Sequence, residues 1–276
     1  MRWIRLKQHK KILFPLLLFI LTGLTVPKTG RLYCRETAVS PGNTLKIDRG
    51  IKNITNFHWQ EYDGQPQNWS IIQDNRGIIY AANQGGLLEF DGLSWREIPI
   101  PNKTVRSLAV DKQGTIYAGG INEIGYLAPG AKGELQFVSL TAHLEEKDRN
   151  FYDVWRTHCT GEGTYFSTSK FLFLWDGEKV KVWQADSSFG APFVCGGELY
   201  GREVGIGLLE MKGNSFELIA GGEAFASKPV SMMAPFDTQR LLIGTRSSGL
   251  YLYDGAKAVP FPTEADDYLK ENQISY

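Results

Sequence analysis

The sequence has few of the side chains from which metal sites are built. Among 276 residues there are only four histidines and three cysteines. No two of the histidines, which are His9, His58, His143 and His158, have the i, i+4 spacing beside carboxylates that a metal site needs. His158 and Cys159 are adjacent, but adjacent residues on a strand point to opposite faces. We therefore expect no metal site and no cofactor.

An excess of charge and the common catalytic motifs are also missing. The 30 lysines and arginines balance 30 acidic residues, so the formal net charge is zero, and the overall charge does not favour nucleic acid or an anionic membrane surface. The sequence contains no Gly-x-Ser-x-Gly elbow, no phosphate-binding Gly-Lys-Ser/Thr loop and no His-Glu-x-x-His helix. We expect no nucleic-acid partner and no catalytic residue, and we predict that this chain is not an enzyme.

One seven-residue motif recurs through the sequence. Its clearest copy, Gly-Leu-Tyr-Leu-Tyr-Asp-Gly, occupies residues 249–255, and variants of it precede this copy at residues 86–92, 124–130, 171–177 and 207–213. The closing glycines are separated by 38, 47, 36 and 42 residues. A period near forty residues is typical of a repeat architecture.

The first repeat shows what each unit contains. Four short runs rich in β-branched and aromatic residues are separated by Asp-Asn-Arg-Gly at 74–77, Asn-Gln-Gly-Gly at 83–86 and Asp-Gly at 91–92. Runs of this length that end in turn formers indicate strands rather than helices. Asp-Gly predicts a hairpin because both central residues of a type I′ turn need positive φ. We therefore predict four antiparallel strands in each repeat.

Four-stranded units at this period are typical of β-propeller blades. We predict an all-β fold, an incomplete propeller of about five blades with the start of a sixth. A β-sandwich of unrelated strands is the alternative, but it gives no reason for the repeated motif. The predicted blades cover residues 67–100, 103–140, 150–185, 188–220 and 229–262, and the sixth begins at about residue 272.

The N-terminal segment resembles a secretory signal. Basic residues from Arg2 to Lys11 precede an apolar run at 12–24, which is the order of a signal's basic and apolar regions and is short for a membrane span. We assign residues 1–28 to a signal peptide or an uncleaved signal anchor, 29–50 to a linker and 51–276 to the propeller. Export to the periplasmic side of the inner membrane, or to the cell surface, is the expected outcome.

Both ends of the predicted propeller suggest a longer protein. The aromatic segment 54–62 is expected to be an extended strand donated to the last blade, and residues 273–276 look like the first strand of a sixth blade after a charged connection at 263–272. Open propellers leave unpaired strand edges. We expect the chain to be a piece of a longer protein, with a natural five-bladed protein as the alternative.

The cysteines and tryptophans are interpreted as structural. Cys159 and Cys195 occupy near-equivalent places in neighbouring repeats, where equivalent atoms are too far apart for a disulfide, so we expect buried free thiols. Five tryptophans fall at strand positions and are interpreted as blade packing rather than ligand platforms: Trp69, Trp95, Trp155, Trp175 and Trp183.

The position of the loops indicates where a ligand would bind. In a propeller the loop after each second strand projects from the same face, and ligand sites are concave with a few convergent polar groups. We predict a ligand-binding rim made of Asn83, Glu123, Lys170, Arg202 and Arg246. The three cations of this rim would suit an acidic or carbohydrate-derived ligand.

Residues 68–95 and 105–127, with Asp-Lys-Gln-Gly at 111–114 and Ile-Gly-Tyr-Leu at 124–127, resemble the two-component regulator propeller repeats. The resemblance covers about residues 51–276. These repeats occur in extracytoplasmic sensor regions of Bacteroidetes-type signalling proteins. The resemblance implies that a triple-tyrosine β-sandwich, a membrane span and a cytoplasmic output module follow, the last being a histidine kinase, a cyclase or a helix-turn-helix regulator.

We therefore predict an extracytoplasmic ligand-sensing propeller of a membrane signal-transduction protein, of the two-component regulator or sensor histidine kinase type. This chain would bind an unidentified small molecule or glycan without catalysis, and a homodimer is left open. One alternative is a secreted propeller enzyme, such as a quinoprotein dehydrogenase or a glycan lyase. Another is a structural or adhesive surface propeller.

Overall fold

The computed structural model describes residues 54–274. In this part of the chain twenty strands form five sheets, each of four antiparallel strands. Within every sheet the strands lie side by side in their chain order. The prediction of an all-β propeller with four-stranded antiparallel blades is confirmed.

The strands of each blade lie within the residue range predicted for it. Blade 1 consists of β1 (Asn68–Gln73), β2 (Ile79–Asn83), β3 (Gly86–Phe90) and β4 (Trp95–Ile98). Blade 2 consists of β5 (Val105–Val110), β6 (Ile116–Gly120), β7 (Ile124–Pro129) and β8 (Leu135–Ser139). Blade 3 consists of β9 (Arg156–Cys159), β10 (Thr164–Ser167), β11 (Phe171–Trp175) and β12 (Val180–Gln184). Blade 4 consists of β13 (Phe193–Cys195), β14 (Glu198–Glu203), β15 (Gly207–Lys212) and β16 (Ser215–Leu218). Blade 5 consists of β17 (Val230–Pro235), β18 (Leu241–Thr245), β19 (Leu250–Tyr253) and β20 (Ala258–Pro260).

Within residues 54–274, helical structure is confined to short segments. One α-helix, α1 (Asp266–Asn272), follows blade 5 within the predicted charged connection at 263–272. Short 3₁₀ helices occur at Thr141–His143, Glu146–Asp148 and Gly222–Phe225. Among residues 54–274, no helix has the length and apolar content needed to cross a membrane.

Aspartate side chains fix the turns between first and second strands. In blade 1, Oδ1 of Asp74 accepts hydrogen bonds from the backbone N–H groups of Arg76 at 2.9 Å and Ile78 at 3.0 Å. Asp111 makes the corresponding bonds in blade 2. Gly77 completes the first of these turns with a φ of 87°, a conformation that glycine adopts without steric cost. The aspartate and the glycine therefore stabilise these turns through contacts and conformations within the turn itself.

The hydrophobic core lies between blades rather than within them. Leu87 and Ile98 of blade 1 pack against Val105 and Ile116 of blade 2, and all four are at most 2% exposed. Equivalent clusters join blades 2 and 3, blades 3 and 4, and blades 4 and 5. Each sheet therefore buries its apolar side chains only when its neighbour is in place.

The first strand of each blade lies nearest the propeller axis. First strands of neighbouring blades contact one another, β1 with β5, β5 with β9 and β13 with β17. A buried hydrogen bond at 2.8 Å from the Ser107 hydroxyl to the Val154 carbonyl joins the first strand of blade 2 to the segment that leads into blade 3. Side chains at the beginnings of these strands can therefore approach one another across the axis.

The structure corrects the prediction that residues 54–62 form a donated strand. No strand is assigned there, and the segment instead turns back on blade 1, with the Glu61 N–H bonded to the His58 carbonyl at 2.8 Å. Phe57 contacts the ring of Phe90, with 5.1 Å between centroids, and Tyr62 contacts Trp95 at 5.4 Å. Aromatic packing on the outer part of blade 1 takes the place of strand pairing.

At the other end, Ile274 begins to pair with blade 5. Its N–H donates to the Arg246 carbonyl at 2.8 Å, as the Phe189 N–H donates to the Ser169 carbonyl at 2.7 Å where blade 4 begins beside blade 3. This bond is the one expected where another blade starts, and the sixth blade stays a prediction. The signal, the linker, His9 and Cys34 lie outside the described residues.

Leu87 tests the importance of packing between blades. Because its side chain is fully buried between blades 1 and 2, Leu87→Ala should lower the free energy of unfolding by about 2–5 kcal/mol. Leu93 is a matched control since it is 91% exposed in the same blade, and Leu93→Ala should change that free energy by less than ~0.5 kcal/mol. Urea unfolding followed by circular dichroism measures both, and equal effects would contradict the proposed core.

Candidate functional site

The loops that follow the second strands project from one end of the propeller, which we call the loop face. It includes the β2–β3, β6–β7, β10–β11, β14–β15 and β18–β19 loops. The first strands begin at this end, because an antiparallel first strand starts where the second one finishes. The five residues of the predicted rim all lie on these loops or on the strand ends beside them: Asn83, Glu123, Lys170, Arg202 and Arg246.

Asn83 is held by hydrogen bonds within blade 1. Its side chain is 0% exposed, and its Nδ2 donates to the Gln65 carbonyl at 2.7 Å and to Oδ1 of Asn68 at 2.8 Å. Its Oδ1 accepts from the backbone N–H groups of Gln65 and Gly85, both at 2.8 Å. These bonds join the segment before β1 to the loop after β2, so a ligand does not reach the Asn83 side chain.

Glu123 is also buried, with 4% exposure. Its carboxylate accepts a hydrogen bond from the Ser139 hydroxyl, which lies 2.7 Å from the Thr141 hydroxyl. Burial raises the pKa of Glu123 above its ordinary value, because the charged form loses solvation. Its surroundings are those of a structural acid inside blade 2 rather than an exposed rim residue.

Lys170 is exposed, as the rim prediction requires. The Lys170 N–H donates to the Thr168 hydroxyl at 3.1 Å, and the Lys170 carbonyl accepts from the Ala185 N–H at 2.9 Å. The backbone of the β10–β11 loop is therefore fixed, while the side chain extends from it into solvent.

The structure brings Arg202 and Arg246 together in one pocket of about 430 Å³. Arg202 is 6% exposed and donates from Nε to the Phe225 carbonyl at 2.7 Å and from Nη2 to the Ala226 carbonyl at 2.6 Å. Burial lowers the pKa of Arg202. Arg246 is exposed, and its Nε donates to Oε1 of Gln273 at 3.0 Å.

A second group of side chains on the loop face comes from the first strands. The second strands of blades 1 to 4 share a tyrosine, and blade 5 has a leucine in its place; these residues are Tyr80, Tyr117, Tyr165, Tyr200 and Leu242. The first-strand residues that pair with them are, in the same order, Ile72, Ala109, His158, Phe193 and Ala234. The residue three places earlier is structurally equivalent in every blade, and we call it the axial position. Its occupants in blades 1 to 5 are Trp69, Arg106, Trp155, Gly190 and Ser231.

Bulges turn several of these side chains away from the regular strand pattern. In blades 1, 2 and 5 the register shifts by one residue, and the axial residue is the extra one. A bulge re-aims a side chain and is often found beside functional sites. The repetition of this feature in three blades makes the axial position a regular part of the fold.

The axial residues of blades 1 to 3 form one cluster. The rings of Trp69 and Trp155 are 5.7 Å apart at an angle of 69°. The guanidinium carbon of Arg106 lies 4.1 Å from the Trp69 ring centroid and 5.2 Å from that of Trp155, within the range of cation–π attraction. Nε of Arg106 donates to Oδ1 of Asp153 at 2.6 Å. This axial cluster of four side chains combines exposed aromatic surface with a held cation.

The five tryptophans that were interpreted as blade packing lie in two different environments. Trp95, Trp175 and Trp183 contact aromatic or backbone groups of the outer strands, as blade packing requires. Trp69 and Trp155 are instead 37% and 40% exposed on the loop face. The sequence did carry a signal for them, since Trp69 lies 11 residues before the repeated tyrosine Tyr80 and Trp155 lies 10 residues before its equivalent Tyr165.

Other chemistry is sparse in the described part of the chain. Residues 54–274 contain no group of three or more histidine, cysteine or acidic side chains able to hold a metal ion. Nε2 of His158 donates to the Pro192 carbonyl at 3.1 Å, and burial lowers the pKa of His158. Cys159 and Cys195 are free thiols, as predicted, and Cys195 is buried whereas Cys159 is partly exposed.

No family model and no curated protein matches the chain, whereas several solved structures do. Virginiamycin B lyase from Staphylococcus aureus has a TM-score of 0.54 at 11% identity, with 75% of this chain and 73% of the lyase covered. The WD40 propeller domain of Doa1 has a TM-score of 0.50 at 13% identity, covering 70% of this chain and 66% of that one.

A third similar structure is the extracellular domain of a putative one-component system from B. thetaiotaomicron. Its TM-score is 0.50 at 17% identity, and the match covers 70% of this chain but only 28% of that one. The matched part of this chain thus corresponds to little more than a quarter of that domain. At these identities the three likenesses show the β-propeller fold alone.

The buried Glu123 predicts a pH dependence of stability. Because its pKa is raised in the folded state, the contribution of Glu123 to stability is fully present below the ordinary glutamate pKa of about 4.3 and is lost as the pH rises through the higher folded value. Glu123→Gln removes this loss, so the variant should gain Tm relative to the unchanged protein at pH 8 but not at pH 4. Each kcal/mol regained in the free energy of unfolding corresponds to a rise in Tm of ~2–4 °C.

Thermal unfolding at the two pH values measures the effect. Glu178 is exposed, so Glu178→Gln controls for the loss of one surface charge and should show no such pH-dependent gain. A Tm difference for Glu123→Gln that is the same at pH 4 and pH 8 would contradict the assignment.

Proposed function

We propose that the chain is the extracytoplasmic ligand-binding propeller of a membrane signal-transduction protein, and that it binds its ligand without chemical conversion. The observation that carries this proposal is the axial cluster, in which two partly exposed tryptophan rings and the Arg106 guanidinium meet at one end of the propeller axis. Exposed aromatic side chains that lie together on one face of a protein are typical of surfaces that recognise ligands.

The axial cluster is suited to binding because it is held in place before a ligand arrives. Asp153 fixes Arg106 through the 2.6 Å hydrogen bond, and Asp153 itself forms a backbone bridge with Ile121. The two tryptophans are at the beginnings of strands that the core holds in register. A site that is ordered in advance loses less side-chain entropy on binding. Flat faces of a sugar ring or another small ligand would stack on the indole rings.

Three observations support a signalling role for this binding. The repeats resemble two-component regulator propellers, the fold is similar to the extracellular domain of a putative one-component system, and the N-terminal segment has the composition of a secretory signal. In the proposal, a triple-tyrosine domain, a membrane span and an output domain belong to the full protein. The ligand would act by binding one state of that protein more tightly than the other.

Binding measurements on the axial tryptophans test the proposal. The purified chain is screened against an array of glycans, and hits are titrated by calorimetry, which does not depend on the tryptophans that are replaced. Trp69→Ala and Trp155→Ala should each weaken binding about tenfold or more, because a buried aromatic contact contributes about 1.5–3 kcal/mol. Trp183→Phe is the control, since Trp183 lies on the outer strand β12 with Nε1 bonded to the Asn214 carbonyl at 2.7 Å, and it should leave affinity unchanged.

Two outcomes would overturn the proposal. Equal affinity in the Trp69 and Trp155 variants would remove the axial cluster from the binding site. Mass spectrometry of each bound ligand after incubation gives the other outcome, because a converted ligand would identify a propeller enzyme. Virginiamycin B lyase has the same fold, so this second measurement accompanies every hit.

A further inference from the structure

The pocket of Arg202 and Arg246 exists because the axial position changes between blades 3 and 4. Blades 1 to 3 have Trp69, Arg106 and Trp155 at this position, whereas blades 4 and 5 have Gly190 and Ser231. Both of these small residues line the pocket. A Cβ atom on Gly190 would lie 3.5 Å from Cβ and the carbonyl oxygen of Arg202, so a larger axial side chain would cover that arginine. Its absence opens a recess beside the axial cluster.

The positive charge of this pocket is not balanced by acidic groups. The hydrogen bonds of Arg202 and of Arg246 reach two backbone carbonyls and one amide oxygen, which are neutral acceptors. Neither arginine takes part in the ion pairs formed within residues 54–274, and no aspartate or glutamate lines the pocket. A buried charge normally has a partner, and two uncompensated guanidinium groups at one recess favour an anion.

The remaining walls indicate an organic anion rather than a bare inorganic ion. Ala191, Pro229, Val230 and Ile274 supply apolar surface, and polar groups come from Ser231, Asn272 and Gln273. Hydroxyl and amide groups of this kind bind ligand hydroxyls, while guanidinium groups bind carboxylates through charge-assisted hydrogen bonds. The volume of about 430 Å³ is in the range of small-molecule pockets.

We infer that this pocket binds a small hydroxylated carboxylic acid of the size of a sugar acid, with its carboxylate between Arg202 and Arg246. The inference rests on the proposed function and deepens it, since it names a ligand class for the recess beside the axial cluster. An acidic sugar residue could occupy the pocket while a neighbouring residue stacks on the tryptophans.

Calorimetric titration tests the inference with defined probes at low ionic strength. Glucuronate, galacturonate and gluconate should bind at least tenfold more tightly than glucose and galactose, which lack the carboxylate. Sodium sulfate and phosphate should bind more weakly than the sugar acids, because they cannot use the apolar walls. Equal affinity for acidic and neutral sugars, or tighter binding of sulfate or phosphate, would overturn the inference.

Two variants impair the pocket in different ways, one by removing a charge and the other by filling the recess. Arg246→Gln should weaken binding of the sugar acids at least tenfold, and Gly190→Val should do so by filling the recess while both arginines remain. Gly190 does not have a positive φ, so valine is compatible with its backbone. Arg240→Gln is the matched control, because Arg240 precedes β18 whereas Arg246 follows it, so the two arginines lie at opposite ends of the same strand. This control variant should bind the sugar acids normally.

The results separate this inference from the proposed function. Trp69→Ala should reduce binding of glycans that reach the axial cluster but leave the affinity for a single sugar acid within twofold. Unchanged affinity for sugar acids in both Arg246→Gln and Gly190→Val would overturn the pocket assignment, even if glycans still required the tryptophans. Thermal unfolding of each variant verifies that it is folded before its affinity is compared.

Discussion

The fold depends on burial of apolar side chains between neighbouring sheets. A single four-stranded sheet of this chain has large side chains on both faces, and the fully buried ones, such as Leu87 and Val105, lie in clusters shared by two blades. A blade is therefore stable only beside another blade. This constraint arranges the sheets around one axis and brings the beginnings of their first strands together, although those strands are about forty residues apart in the chain.

The loop face contains polar residues of two kinds. Asn83 and Glu123 are buried, and their side chains hold strands and loops in place. Arg202 is buried as well, but it borders a pocket, and that pocket, the exposed Arg246 and the axial cluster retain surface that a ligand can contact. The difference has a simple physical cause: buried polar groups need hydrogen-bond partners inside the protein, and once those bonds are made they are not free for a ligand.

One position of the repeat accounts for both parts of the candidate site. Where the axial residue is large, its side chain meets the others across the axis, as Trp69, Arg106 and Trp155 do. Where it is Gly190 or Ser231, the space stays open and is lined by Arg202 of the second strand β14 and by Arg246 in the loop after the second strand β18. Small changes at an equivalent position in successive repeats thus give a surface with an aromatic side and a cationic side, while the blades themselves stay alike.

The sequence by itself determined the strands, the positions of the turns and the number of described blades, because alternating apolar runs, Asp-Gly hairpins and the repeat period are local signals. It did not determine the turn type, since Gly92 but not Asp91 has the positive φ of a type I′ turn. It also placed the five rim residues at one end. Tertiary structure alone decided which of them are accessible, since the burial of Asn83 and Glu123 depends on distant residues such as Gln65 and Ser139. It also decided that Trp69 and Trp155 meet, because contact between residues of blades 1 and 3 follows from the curvature of the whole assembly, which no local pattern encodes.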